Sequence, residues 1–353
     1  VYPIKKILAI CIIFLLICQP VHAIDVSAQS SILIEAESGR VIFHKNEHEK
    51  LKIASITKIM TAHAALKHGN INDQVKISAK ASSAEGSSLY LKQGDTISLK
   101  DLLYGLLLRS GNDAAVAIAE HISGSVEKFA ELMNKEAKAL QMTNSYFTNP
   151  HGLDTDDKHV STAYDMAILT KEAIKNDQFK AIFSSESYKP SSDHYQWNNK
   201  HRLLTGLYPY ADGGKTGFTK KAGRTLVTTA TKNNITYIAV TINAPDDWND
   251  HIALFEDAFR RYAMFEVISK GPVPVLPGTH EHTDYISREV KKVPLTEDET
   301  KQVVYHITQG HNPSLSVYVQ DEELTSVKLY ADQNNPPAFY QTLIRKMKEF
   351  FTW

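Results

Sequence analysis

The spacing of apolar positions divides this chain into segments of different character. Ser31 to Ile34 and Val41 to His44 are short β-rich runs on either side of Glu37-Ser38-Gly39, the pattern of a hairpin. Ser55 to His68 is mostly apolar over helical length and is stopped by Gly69-Asn70. Ser98 is placed to cap a helix through Leu102, Leu103, Leu106 and Leu107, which breaks at Ser110-Gly111-Asn112; a second helix follows from Asp113 through Ala119 to Ile122. Phe129 to Leu140 and Tyr164 to Ile174 add more helix. The pattern then turns to β structure, opened by Lys215-Thr216-Gly217. Thr225 to Thr231 and Thr236 to Asn243 flank Lys232-Asn233-Asn234 as a second hairpin, and Asp250 to Phe265 reads as a closing helix.

Strands at both ends with helices between them predict one α/β domain whose sheet unites the two ends. Gly271-Pro272-Val273-Pro274 to Pro277-Gly278 reads as a linker, and Val303 to Thr308, Leu315 to Val319 and Leu324 to Tyr330 read as the strands of a small all-β domain. After Asn335-Pro336-Pro337, residues Phe339, Leu343, Met347, Phe350 and Phe351 share one helical face, with Arg345, Lys346 and Lys348 off it. The face is apolar, aromatic and flanked by basic residues. It is read as an in-plane anchor on a membrane surface in preference to a helix docked on its own domain. The expected division is 1–23, 24–268, 269–335 and 336–353.

The first of these divisions is a targeting segment. Lys5 and Lys6 precede the apolar run Ile7 to Cys18, and Val21-His22-Ala23 is a small-residue cleavage site. Both cysteines, Cys11 and Cys18, lie inside it, so the exported part carries no disulfide, thiolate nucleophile or cysteine-bound metal. The formal net charge of −1, from 39 basic against 40 acidic residues, becomes slightly more acidic once Lys5 and Lys6 are removed. That balance excludes a nucleic-acid footprint. His280-Glu281-His282 is the densest histidine cluster and lacks a third ligand nearby, so no metal site is expected.

The chemistry lies in three short motifs in one order: Ser55-Ile56-Thr57-Lys58, Ser110-Gly111-Asn112 and Lys215-Thr216-Gly217. A serine three residues before a lysine is common by chance; Ser125-Val126-Glu127-Lys128 is a second copy. Only the first copy lies on an apolar helix with the other two motifs downstream. Residues three apart share a helix face, so Ser55 and Lys58 meet. A serine hydroxyl needs a base within hydrogen-bond reach. Lysine serves only when neutral, and burial and a neighbouring cation both lower its pKa; the apolar helix offers the first and Lys215 the second. Ser110 can relay a proton to a leaving group, and Asn112 can hold a substrate amide carbonyl. Lys215 and Thr216 suit a carboxylate, and Gly217 lets a substrate backbone approach the strand. No cofactor is needed.

The trio resembles that of penicillin-binding proteins and serine β-lactamases. From about Asp25 to Phe265 the chain resembles the low-molecular-mass penicillin-binding proteins that are D-alanyl-D-alanine carboxypeptidases. The resemblance is carried by Ala54-Ser55-Ile56-Thr57-Lys58-Ile59-Met60-Thr61, Leu108-Arg109-Ser110-Gly111-Asn112-Asp113-Ala114-Ala115, Asn149-Pro150-His151-Gly152-Leu153, Ser161-Thr162-Ala163-Tyr164-Asp165-Met166-Ala167 and Asp212-Gly213-Gly214-Lys215-Thr216-Gly217-Phe218-Thr219. It implies a β-lactamase/transpeptidase-like α/β domain, an antiparallel sheet with helices on both faces, followed by a small all-β domain. It implies Ser55 as acylated nucleophile, Lys58 as proton acceptor, Ser110 and Asn112 as relay and clamp, and Lys215 and Thr216 on the terminal carboxylate. The N–H groups of Ser55 and Phe218 would form the oxyanion hole. Lys200 falls where some relatives place a carboxylate-binding arginine, and Gly214 where many carry an apolar residue.

Implied partners are peptidoglycan stem peptides, β-lactams as covalent inhibitors, and a membrane surface. The implied location is the outer face of the cytoplasmic membrane, the medium, or the forespore envelope. The wording around Tyr208-Pro209-Tyr210 and Ala163-Tyr164-Asp165-Met166 resembles members used in spore cortex maturation. The alternatives are a serine β-lactamase, against which the absence of a Glu-x-x-Leu-Asn loop argues, and a non-catalytic envelope binding protein, against which the intact trio argues.

Overall fold

The computed structural model describes residues 24–191, 195–273 and 285–331. The expected targeting segment, most of the expected linker, His280 to His282 and the C-terminal helix lie outside them.

Five strands form one antiparallel sheet: β1 (Ser30–Glu35), β2 (Val41–Lys45), β3 (Ala211–Thr219), β4 (Gly223–Lys232) and β5 (Ile235–Ile242), in the order β2-β1-β5-β4-β3. The N-terminal hairpin therefore pairs with the strands from beyond residue 210, as the sequence pattern predicted. Alternation along each strand sends side chains to two cores. Ile32, Ile34, Val227, Ile238, Val240 and Ile242 face the helices between the strand groups. Leu33, Leu226, Tyr237 and Ala239 face the helix Asp247–Arg261. Each fully buried Ile or Val contributes about 1.5–3 kcal/mol, which pins the register because a one-residue slip would exchange the faces. The β4–β5 turn places Asn233 and Asn234 at φ +53° and +62°, a hairpin conformation that asparagine tolerates.

Among the described residues, the α-helices of six residues or more are α1 (Lys58–His68), α2 (Leu99–Tyr104), α3 (Asn112–Ser123), α4 (Val126–Ala139), α5 (Ala163–Ala173), α6 (Asp177–Phe183) and α7 (Asp247–Arg261). Ser98 caps α2 by accepting from the Asp101 N–H, as its position foretold. Ser125, the serine of the second Ser-x-x-Lys copy, is the N-cap of α4: its hydroxyl accepts from the Lys128 N–H at 3.2 Å. Helix α4 therefore starts three residues before the expected Phe129. Helix α6 was not anticipated.

The closing helix differs more. It runs from Asp247 to Arg261, with acidic residues in its first turn and basic ones in its last, matching the helix dipole. The expected extension to Phe265 is instead the strand Ala263–Ile268, paired with Lys291–Leu295. That partner is distant in sequence, and such pairing overrides local helical spacing. Val267 and Ile268 consequently pack in the core of the second unit with Val293, Val317 and Val327. This unit is all-β, as expected, with strands Val303–Thr308, Ser314–Val319 and Glu322–Ala331. Arg40, on the β1–β2 turn, joins the units: its buried guanidinium meets Glu299 at 2.6 Å and also donates to the Pro294 carbonyl.

Candidate active site

Before helix α1 the chain makes a single 3-10 turn, Ala54–Thr57, entered through Ala54 at φ +47°. This turn holds Ser55 at the end of the sheet against edge strand β3. Gly217 makes the contact possible: a Cβ there would lie 2.7 Å from the Ser55 nitrogen and 2.4 Å from Thr225 Oγ1. Gly217 was expected to admit a substrate backbone; the close approach its bare Cα permits here is by the backbone of Ser55 itself. Thr225 Oγ1 ties the turn further by donating to the Ile53 carbonyl at 3.0 Å.

Lys58 opens α1 and is fully buried. Its Nζ lies 3.0 Å from Ser55 Oγ, 2.7 Å from Asn112 Oδ1 and 2.8 Å from the His151 carbonyl. Burial first, then the charges of Lys215 and Lys200, hold its pKa well below the usual lysine range, with Asp113 opposing. A neutral amine has two N–H donors and one lone pair. Two carbonyl-type oxygens accept the donors, and the lone pair is left for the Ser55 hydroxyl.

The His151 acceptor comes from Asn149-Pro150-His151-Gly152-Leu153, a signature with no chemical role in the sequence reading. Asn149 Oδ1 accepts from the His151 and Gly152 N–H groups, and Thr61 Oγ1 donates to the Pro150 carbonyl at 2.6 Å. Gly152 sits at φ +86°, and a Cβ on it would lie 1.9 Å from the Ala54 carbonyl oxygen. The turn is thus wedged beneath Ala54, the residue that precedes Ser55.

Ser110 ends a π-helical turn, Gly105–Arg109, at φ +64°. This strained residue lies between two helices, where a sharp reversal was expected. Its hydroxyl is bonded to neither Ser55 nor Lys58. Asn112 does not face the open cleft: its Oδ1 accepts from Lys58 and its Nδ2 donates to the Glu85 carbonyl. Its backbone N–H and Asp113 Oδ2 hold the segment Ser87 to Leu91 beside the motif.

Lys215 is only 2% exposed, and its Nζ donates to the Thr216 carbonyl at 2.6 Å. Burial and the charge of Lys200 lower its pKa to about 7. Alternation on β3 turns it toward the core shared with α1, whereas Thr216 and Phe218 point to the opposite face, beside Arg224 of β4.

Ser55, Ser110, Thr216, Gly217 and Phe218 line one cleft of about 370 Å³; Lys58, Asn112 and Lys215 lie behind its wall. Lys200 also lines it. The far end is closed by residues the sequence reading did not identify. Arg224 donates to Asp247 Oδ1 through Nε at 3.0 Å and Nη2 at 2.5 Å, with its guanidinium 5.4 Å from the Trp248 ring centre. Only the pairing of Phe218 with Arg224 across β3 and β4 brings them there. Among the described residues, no group of three or more His, Cys, Asp or Glu side chains could hold a metal ion, and no helix is long and apolar enough to cross a membrane.

Residues 18–246 match the D-alanyl-D-alanine carboxypeptidase family, peptidase family S11. D-alanyl-D-alanine carboxypeptidase DacF of Bacillus subtilis is 42% identical over 245 residues, 67% of this chain and 63% of that protein. DacC of Escherichia coli is 38% identical over 266 residues, 71% of this chain and 65% of that protein. The matched part is a little under two thirds of the length of these curated relatives. Penicillin binding protein 5 from Haemophilus influenzae superposes with a TM-score of 0.75 at 27% identity, covering 88% of this chain and 98% of that one. Penicillin-binding protein D2 from Listeria monocytogenes, in its ampicillin-bound form, gives 0.61 at 27% identity over 67% of this chain and 99% of that one. The antiparallel sheet flanked by helices is shared with both neighbours, and the all-β unit after it with the Haemophilus influenzae protein, which covers 88% of this chain.

Proposed function

Since the chain belongs to the D-alanyl-D-alanine carboxypeptidase family, we propose that it removes the terminal D-alanine from peptidoglycan stem pentapeptides through an acyl-enzyme on Ser55. The observation that carries this reading is the Lys58 amine, buried, held by Asn112 and His151, and 3.0 Å from Ser55 Oγ.

The geometry supports a definite sequence of proton transfers. Ser55 Oγ gives its proton to the Lys58 lone pair as it attacks the last peptide carbonyl. The N–H groups of Ser55 and Phe218 face the developing oxyanion. Strand β3 is an edge, so an extended peptide can pair along it. The departing D-alanine takes a proton by way of Ser110, and water then hydrolyses the ester. Thr216 offers its hydroxyl to the terminal carboxylate in the field of Lys215 and Lys200. With a β-lactam the leaving group stays tethered and blocks the water, so the adduct persists.

The same reading puts the enzyme outside the cytoplasm, in cell-wall or spore-cortex maturation, attached to the outer face of the cytoplasmic membrane by the amphipathic segment after Pro337. The basic leader of residues 1–23 and the amphipathic tail support it. Removal of residues after Pro337 should free the enzyme from membranes with catalysis intact.

The test is peptide mapping of the penicillin adduct together with D-alanine release from a pentapeptide. Labelling at Ser55 and release of D-alanine are expected. Rapid penicillin turnover without D-alanine release would make the protein a β-lactamase instead.

A further inference from the structure

We propose that His201 is a positioning residue that fixes Lys200 over the active-site cleft, and that Gly214 is the slot through which it does so. The role given to Lys200 rests on the acyl-enzyme reading above; the fit of His201 to Gly214 does not.

His201 is 1% exposed and lies across β3 at Gly214. Its ring reaches over that strand to the next: Nε2 is 3.0 Å from Thr228 Oγ1 and 3.2 Å from the Val227 carbonyl. Thr228 and Val227 are the β4 residues paired with Gly214 and Lys215. Nδ1 accepts the Leu204 N–H at 3.2 Å, so Nε2 carries the proton and donates to β4. The chain of bonds continues consistently. The Thr228 hydroxyl donates to His251 Nδ1 at 2.8 Å, and His251 Nε2 donates to Thr241 Oγ1 at 3.0 Å. Both imidazoles are thus satisfied as neutral rings, and burial favours that form. The edge of the Trp248 ring system packs against His201 at 5.3 Å.

The slot is narrow. A Cβ on residue 214 would stand 2.2 Å from His201 Nε2 and 2.4 Å from Cδ2. The imidazole in this place and any side chain at 214 are mutually exclusive. The missing side chain of the glycine in the third motif is thus replaced by the ring of His201.

What the clamp holds is the residue before it. Lys200 is fixed on one side by its own N–H, which donates to the Leu108 carbonyl beside the second motif, and on the other by the His201 clamp on β4. It lines the cleft, and its charge acts on both buried lysines. Arg109 is the cation that faces it. Displacing the imidazole would release one of the two anchors.

The experiment measures the second-order rate of penicillin acylation and the thermal midpoint for wild type, Gly214→Val, His201→Asn, the double variant, Lys200→Ala and Lys200→Ala/His201→Asn. Gly214→Val should slow acylation at least tenfold, and adding His201→Asn should bring rate and midpoint back towards, and no further than, those of His201→Asn alone. Lys200→Ala and His201→Asn should combine to less than the product of their separate effects, because one acts through the other. A purely structural histidine would give independent, multiplying losses. Should Gly214→Val fail to fold, Gly214→Ala is the milder probe, since its methyl meets the same ring nitrogen. A Gly214→Val enzyme equal to wild type, a double variant no better than the worse single one, or multiplying losses would overturn the proposal. A wild type that takes no penicillin at Ser55 would overturn the acyl-enzyme reading, and the role of Lys200 with it. A labelled wild type without rescue overturns this inference alone.

Discussion

Replacing Gly152 by alanine should disable the nucleophile without touching any group that takes part in the reaction. Residue 152 sits at φ +86°, where a Cβ costs about 1–2 kcal/mol. For a domain of this size that lowers the thermal midpoint by roughly 2–8 °C. The larger effect is steric. The new Cβ would lie 1.9 Å from the Ala54 carbonyl oxygen, and real Cβ contacts essentially never fall below 3.0 Å. Either the 3-10 turn that carries Ser55 or the segment that carries the His151 carbonyl must move by about 1 Å. Both belong to the contact set of Lys58, so the 3.0 Å approach of Ser55 Oγ to Nζ is lost whichever gives way. A displacement of about 1 Å at reacting groups costs on the order of 100-fold in rate.

Gly124 supplies the control. It has φ +81°, close to that of Gly152, and nothing lies within 4 Å of the place a Cβ would take. Gly124→Ala should therefore show the conformational loss of stability and unaltered acylation. Stopped-flow penicillin acylation and thermal unfolding of both variants separate strain from collision. If Gly152→Ala acylates within about threefold of wild type, or if Gly124→Ala slows acylation equally, the wedge argument is wrong.

Ser125→Ala should cost about 1 kcal/mol through loss of a helix N-cap, with the penicillin adduct still on Ser55; an adduct lost with Ser125 would refute the assignment. Acylation should rise from the acid side as Lys58 loses its proton, and capture of carboxylate-bearing substrates should weaken as pH climbs through about 7, where Lys215 loses its charge. A substrate blocked as its terminal amide should lack that second limb, and identical profiles would exclude Lys215 from carboxylate capture. Lys215 has a folded pKa of about 7 against an unfolded value of about 10.4. Between the two the unfolded chain binds more protons, so this group makes stability rise with pH across that window; Lys215→Met should flatten the rise, and an unchanged slope in chemical denaturation would contradict the burial argument.

Local pattern and long-range pairing divide what could be read from the residues. The β1–β2 and β4–β5 hairpins and the α2 cap are local: Glu37-Ser38-Gly39, Lys232-Asn233-Asn234 and Ser98 each act within a few residues. The uniting of the two ends in one sheet followed from where the strands lie in the order of elements. Ala263–Ile268 could not be read this way, because its partner Lys291–Leu295 lies across a linker and nothing local distinguishes Phe265 as strand from Phe265 as helix. Helix α6 was missed because seven residues hold too few turns to show a period.

In the site, the residues proposed to react were legible and their supports were not. Serine, lysine and their threefold spacing announce themselves, since the chemistry demands those residue types. The parts that surround the Lys58 amine and lower its pKa carry no such mark. The His151 acceptor is a backbone carbonyl, which any residue could supply. Gly152, Gly217 and Gly214 act by lacking atoms, and the neighbour each makes room for is Ala54, Ser55 or His201, 98, 162 and 13 residues away in the chain. The buried position of Lys215 depends on which face of β3 it occupies, fixed by the alternation that sends Val227 to one core and Leu226 to the other. A short Ser-x-x-Lys sequence therefore brings a serine hydroxyl against a buried lysine amine only where such neighbours close around it. Ser125 and Lys128 have the same spacing and no such neighbours, and there the serine merely caps a helix.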